Sequence, residues 1–315
     1  MEEIALAKNN KSVSTENRKY LWNEIKRNKA CYLMVAPFML LFIVFTVVPV
    51  CLSLPMGFTS YDIVHFPPKW VGLSNYYTLF LEDSVFLTSI RNTLLIAIFT
   101  GPISYVLCFM LAWLINELHP TLKTIFTLVF YAPSMCGNIY FIWQLIFSSD
   151  MYGWLNSYLI EWGFITAPKL WLTDASTIQF CVIVVSLWIS MGAGFLALRA
   201  GFQSIDKSQY EAGAIEGIKN RFQELIFITI PAMGPQLMFA AVMQIVGAFT
   251  ADTVGRMLVG FPSTEYKAHT IMTHAFDYGW VRYEMGYSAA ICFILFIVML
   301  VCEKVISKLL RKYLD

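Results

Sequence analysis

Six stretches of this 315-residue chain carry no Asp, Glu, Lys or Arg over a length that can cross a lipid bilayer: residues 30–61, 92–116, 124–149, 175–198, 225–251 and 285–302. A helix needs about 20 residues to span the hydrocarbon core. A charge at the centre of such a helix costs about 2.5–3.5 kcal/mol on insertion scales, so gaps of this length are kept free of charge for a reason. The next longest gap, 70–81, is far shorter. Charged residues make up 14% of the chain, where an ordinary soluble domain has roughly 25%. These features predict an all-α integral membrane protein with six transmembrane helices.

Lys and Arg orient the spans. With the N-terminus inside, the inner segments 1–29, 117–123, 199–224 and 303–315 hold 16 of the 22 basic residues. Asp and Glu divide 11 inside to 10 outside, so the bias is in the basic residues alone, as the positive-inside rule requires. Both termini are therefore expected in the cytoplasm, and so is the segment 199–224. The organisation predicted is a polar tail over 1–29, a six-helix domain over 30–308 and a short basic tail over 309–315.

Prolines and amides mark irregularities within the spans. Pro37, Pro49 and Pro55 fall in or at the end of the first, Gly101-Pro102 in the second, Pro133 in the third, and Pro231 and Pro235 at the start of the fifth. Each removes a backbone donor and favours a bend. Unpaired amides are costly in lipid, so Asn138 and Gln144 are expected to face other helices or an aqueous cavity. The first outside loop, rich in aromatic and turn residues, is expected to fold over the outer face.

Several chemistries are excluded. The chain has no Gly-x4-Gly-Lys-Ser/Thr phosphate loop and should not hydrolyse ATP. No carboxylate, Lys or Arg lies deep within a predicted span, which argues against proton- or sodium-coupled transport and against an intramembrane hydrolase. His269 and His274, five apart with no Cys nearby and no HExxH pattern, read as residues of a surface loop, and no metal site is expected. The seven scattered cysteines read as packing residues. No nucleic-acid partner is expected.

One polar segment stands out, from Arg199 to Pro231. Asp206 followed three residues later by Gln209 reads as a helix N-cap and capping box, and Gly217 as a stop, giving a helix over 207–216. So short a helix needs a partner to hold it. Tyr210, Ala214 and Ile218, at i, i+4 and i+8, are expected to share a face with Glu211 and Ile215 beside them.

Glu211-Ala-Gly-x3-Gly217, followed by Ile228-x-Ile230-Pro231, resembles the EAA signature of permease subunits of bacterial ATP-binding cassette (ABC) importers, whose pattern is Glu-Ala-Ala, three residues, Gly, nine residues, Ile, one residue, Leu-Pro. The flanking Leu198-Arg-Ala-Gly-Phe-Gln-Ser-Ile, Gln209-Tyr210 and Val71-Gly-Leu-Ser-Asn-Tyr look like the carbohydrate-uptake branch that includes maltose permeases. Here Gly213 replaces the second Ala, Glu216 stands where Asp is usual, Ile230 replaces Leu, and ten residues rather than nine separate Gly217 from Ile228.

The resemblance implies a type I ABC importer permease fold. It implies that 206–217 is a coupling helix, with Tyr210, Glu211, Ala212, Gly213, Ala214, Ile215, Glu216, Gly217 and Ile218 meeting a separate ATPase. Glu211 is assigned to bonds that hold the loop or reach the ATPase, and Gly217 to the turn. The chain would hold no cofactor itself, ATP and Mg residing on the ATPase. Its partners would be two ATPase subunits, a second and different permease, an extracellular sugar-binding protein and membrane lipid. Sugar recognition by aromatic faces, amides and hydroxyls points to Trp188, Ser190, Gln244, Thr250, Asp252 and Asn138 along the pathway, although helix–helix bonding explains the same residues. Other readings are an importer of polyols, glycerol phosphate or oligopeptides, and a non-transport membrane scaffold.

Overall fold

The computed structural model describes residues 24–65, 67–137 and 139–314, the side chains of 311–314 excepted. Asn138 and residues 1–23 of the expected tail lie outside the described residues. The chain divides into two compact units, 1–55 and 56–315. In the first, helix α1 (Lys29–Met56) is 28 residues long and passes through a π-turn at Ile43–Val47.

The second unit is helical throughout its regular structure, with an isolated antiparallel bridge, Thr59 to Trp70, among the described residues. Its helices are α2 (Ser74–Leu81), α3 (Ser84–Asn116), α4 (Pro120–Met135), α5 (Tyr140–Ile146), α6 (Trp154–Glu161), α7 (Ile178–Ile189), α8 (Ala193–Ser204), α9 (Lys207–Ile215), α10 (Arg221–Ala232), α11 (Gly234–Phe249), α12 (Asp252–Val259), α13 (Ile271–Phe276) and α14 (Met285–Leu314). Four helical segments are long and apolar enough to cross a membrane, and six spans result if two bent pairs, α4 with α5 and α10 with α11, each count as one.

The predicted spans are all present, but their ends and interiors differ. α3 begins eight residues before the expected 92, because the Asp83 carboxylate accepts the Phe86 N–H at 2.9 Å and caps it. The fourth span breaks at Ser190–Gly192 and resumes as α8, which runs to Ser204 and so takes Arg199 into the helix rather than the loop. α10 and α11 meet at 83°. Pro235 lacks the N–H a continuous helix would use and would press its ring on the Pro231 carbonyl, so the chain turns at Met233. Residues 309–314, expected in the tail, continue α14.

Three buried clusters hold the unit together. One joins α3, α8 and α11 through Cys108, Ala112, Phe195, Leu198, Leu237 and Ala240. A second joins α3, α11, α13 and α14 through Phe86, Phe249, Ile271, Ala275 and Ile291. The third places Ile96, Val182, Val185, Val254 and Leu258 between α3, α7 and α12. The first loop does fold onto the bundle: Phe58 meets Phe293 at 6.4 Å between ring centres, and the Gly286 N–H donates to Tyr61 O at 2.7 Å.

Candidate functional site

The segment between α8 and α11 builds a projecting helix from local rules. Asp206 caps α9, but its carboxylate accepts from the Ser208 N–H at 3.0 Å, and the expected capping box with Gln209 is not made. At the other end the Gly217 N–H donates to Ala214 O and the Ile218 N–H to Gly213 O, at 3.3 and 3.0 Å. This paired closure needs a left-handed residue, and Gly217 supplies it at φ +99°. Asn220 caps α10 by accepting the Gln223 N–H at 2.8 Å, while Gln223 Oε1 accepts the Lys219 N–H at 2.9 Å.

α9 lies against the π-turn Leu225–Thr229 within α10. The Tyr210 hydroxyl meets Thr229 Oγ1 at 3.0 Å. Gly213 is buried at this contact: a Cβ there would sit 2.6 Å from Ile228 Cδ1 and 3.0 Å from Ile218 Cδ1. The Gly in place of Ala thus has a cause, since two isoleucine side chains fill the methyl's space. At the end of the ten-residue spacing α10 carries the π-turn at Leu225–Thr229, which holds one residue more than an α-turn.

On α9 Tyr210 is half-buried with its hydroxyl on Thr229, and Ile218, also half-buried, lies beyond the helix end, so of the expected face Ala214, Glu211 and Ile215 are the exposed members. What projects is Glu211, Ala212, Ala214, Ile215 and Glu216, with Ile215 88% exposed. The Glu211 carboxylate makes no bond among the described residues, so it does not hold the loop.

A second feature is a cavity of about 310 Å³ between α3, α7, α8, α11 and α12. Thr100, Ser104, Tyr140, Ser186, Ser190, Gln244, Thr250 and Thr253 supply its polar lining, and no charged side chain contributes. Gln244 is heavily engaged: its Oε1 accepts from Ser104 Oγ at 2.9 Å and its Nε2 donates to Ser190 O at 3.2 Å. Thr100, Ser190 and Thr250 donate to carbonyls of their own helices, leaving their acceptor lone pairs. The Ser186 hydroxyl is buried and unpartnered among the described residues. Two of the expected pathway residues do not line this cavity. Trp188 packs edge-on against Trp143 at 5.5 Å, and buried Asp252 pairs with Arg256 at 2.7 Å, outside the lining.

No family model matches the chain. YesP of Bacillus subtilis (strain 168), a probable ABC transporter permease protein, is 30% identical over 282 residues, which cover 87% of this chain and 88% of YesP. The chain belongs to the ABC transporter permeases. AraP of the same organism, an arabinooligosaccharides transport system permease protein, is 30% identical over 91% of each chain. UgpA of Agrobacterium fabrum, a permease protein of an sn-glycerol-3-phosphate transport system, is 28% identical over 85% of this chain and 90% of its own. Among solved structures, a chain of a bacterial ABC transporter involved in the import of the acidic polysaccharide alginate superposes with a TM-score of 0.72, at 25% identity, over 93% of this chain and 99% of that one. The permease is therefore a multi-pass protein of the bacterial inner membrane.

The permease also carries polar joints that the sequence reading missed. His269 and His274, expected on a surface loop, are 2% and 1% exposed. The Asp83 carboxylate can only accept, so His274 Nε2–H donates to it at 2.9 Å, and His274 Nδ1 accepts from His269 Nε2–H at 3.0 Å. Tyr278 and Tyr287 add hydroxyl donors to the same carboxylate oxygen at 3.3 and 3.1 Å. Burial depresses both imidazoles, His269 to about 4. Asn92 Nδ2 donates to Tyr266 O and His269 O at 2.7 and 3.0 Å and its Oδ1 accepts from Gln179. Gln144, by contrast, meets another helix as expected, donating to Met257 O of α12 at 2.7 Å. The available signal was an amide or acid flanked by apolar sequence, which must find a partner somewhere.

Proposed function

We propose that this permease forms half of the membrane core of an ATP-driven sugar importer and receives its driving motion through α9. A second permease of different sequence completes the core, two ATPase subunits bind ATP and Mg, and an extracellular binding protein delivers the sugar. The observation that carries this reading is the projecting tip of α9. Between a capped start and a locked turn, every residue from 207 to 216 except Tyr210 and Gly213 is exposed, on a chain with no phosphate loop of its own. Small side chains at 212 and 214 allow a close protein approach, and Glu211 is left free to pair with a cation of the ATPase. With both ends fixed and Gly213 seated on Ile228, a push on the tip passes into α10 rather than bending the loop.

The cavity supports a neutral, hydroxyl-rich cargo. Hydroxyls and an amide line it without charge, and Ser186 offers a bond that no group among the described residues takes. That lining favours an oligosaccharide of the kind named for AraP over the phosphorylated cargo named for UgpA. Ser190, Gln244 and Thr250 keep their place on the pathway, and Trp188 and Asp252 support it from behind.

The test is uptake by the assembled importer in cells. Glu211→Lys is expected to lower binding-protein-dependent uptake at least tenfold while the permease reaches the membrane in normal amount. Gly217→Leu should do the same, because a non-glycine residue held at this φ costs about 1–2 kcal/mol and unlocks the turn. Normal uptake by both variants would refute the assignment of α9.

A further inference from the structure

Arg199 is a buried cation without an acid. It is 4% exposed, its Nε donates to Thr127 Oγ1 and its Nη1 to Ala112 O, both at 3.3 Å, and no carboxylate pairs with it among the described residues. A guanidinium offers five N–H donors, so two neutral acceptors leave both charge and donors unsatisfied. Beside it opens a cavity of about 330 Å³ between α4 and α8, lined by Lys123, Thr127, Tyr131, Arg199 and Gln203 with Leu128 on its wall. Two cations, hydroxyls and an amide meet here with no acid. Glu117 and Glu224 line the neighbouring cavity, which shares Lys123 and Gln203 with this one, and both are engaged by Arg221, at 3.4 and 2.8 Å.

We infer that this cavity binds the phosphate of an anionic phospholipid, with Arg199 and Lys123 holding the phosphodiester and Tyr131 and Gln203 completing the hydrogen bonds. Depth along the helices favours a lipid over a free anion. Lys123 is three residues from the start of α4 and Arg199 five from the end of α8, about 5–8 Å from the end of the bundle at 1.5 Å per residue. That is headgroup depth. The wall is open to lipid as well: Leu128, on the cavity's edge one turn deeper than Lys123, is 65% exposed and offers an apolar surface to an acyl chain below the phosphate. Basic pockets between transmembrane helices on the cytoplasmic side are known lipid sites, and by the basic-residue bias this end of the bundle is the cytoplasmic one.

The experiment uses the whole importer in nanodiscs of phosphatidylcholine with a graded fraction of phosphatidylglycerol. Native mass spectrometry during stepwise delipidation counts the phosphatidylglycerol retained. The wild type is expected to keep phosphatidylglycerol over phosphatidylcholine, and Lys123→Gln and Arg199→Gln each to bind it about fivefold more weakly, the ratio corresponding to roughly 1 kcal/mol per basic residue. Lys123 is only half-buried, so Lys123→Gln serves if Arg199→Gln fails to assemble. Equal retention by wild type and Lys123→Gln would overturn the site. Displacement of the lipid by millimolar inorganic phosphate would overturn the lipid assignment in favour of a soluble anion. A wild-type complex retaining no phosphatidylglycerol would show the face covered by a protein partner instead.

Discussion

Single polar side chains make the joints of this permease. Asn156 is fully buried, and its Nδ2 reaches the carbonyls of Ser148, Asp150 and Lys169 at 3.0–3.1 Å, while its Oδ1 accepts the Lys169 N–H at 3.1 Å and Trp171 Nε1–H at 2.8 Å. One amide thus ties the end of the third span, helix α6 and the approach to the fourth span together. Asn156→Ala is expected to lower stability by about 2–4 kcal/mol, since each buried group left unpaired costs about 1–3 kcal/mol. Thermal unfolding of the purified complex checks this, and an unchanged midpoint would show the hub to be dispensable. In sequence Asn156 is an ordinary polar residue of an outside loop. Its five bonds go to four residues six to fifteen positions away, and nothing in its immediate sequence names them.

At the scale of elements, α9 shows which features are local and which are not. The Asp206 cap and the Gly217 stop are legible, because each bonds within a few residues of itself. The face of the helix is not, because it depends on Ile228 rising from α10 to meet Gly213. Gly213→Ala needs only a shift of a flexible δ-methyl and is expected to keep uptake close to normal. Gly213→Leu cannot be housed between Ile218 and Ile228 and should lift α9, so that ATP hydrolysis continues while uptake falls at least tenfold. Measuring both rates on reconstituted importer separates the outcomes, and tight coupling in Gly213→Leu would show that the seat is unimportant. Adding Ile228→Ala should restore part of the uptake by making room.

For the whole molecule, the Asp83–His274–His269 chain joins the start of α3 to α13 and, through Tyr287, to α14. Burial and then its partner imidazole depress His269 to about 4, and burial depresses His274 despite Asp83. Burial would raise Asp83, but the Phe86 N–H and His274 outweigh it and keep the carboxyl below its usual value. The unfolded histidines therefore bind protons that the folded ones refuse. Stability rises with pH across this range, and is lost as pH falls from about 6.5 toward about 4, above the range where Asp83 titrates. Hydrogen exchange in residues 271–281, corrected for intrinsic rate, is expected to quicken between about pH 7.5 and about pH 5, and His274→Gln to flatten the response. Exchange in the wild type that ignores pH would show the chain does not bear on this joint. The number of spans, their order and the capped helix between the fourth and fifth were all set by the sequence alone. Charge-free length and short-range caps act on the chain locally, and lipid enforces the first without any partner. Only the tertiary structure decided that Trp188 and Asp252 leave the cavity wall, that two loop histidines are core residues and that Arg199 lies inside a helix. Those positions depend on which distant segment arrives beside them, and a buried polar group is placed by its partners rather than by its own neighbours in sequence.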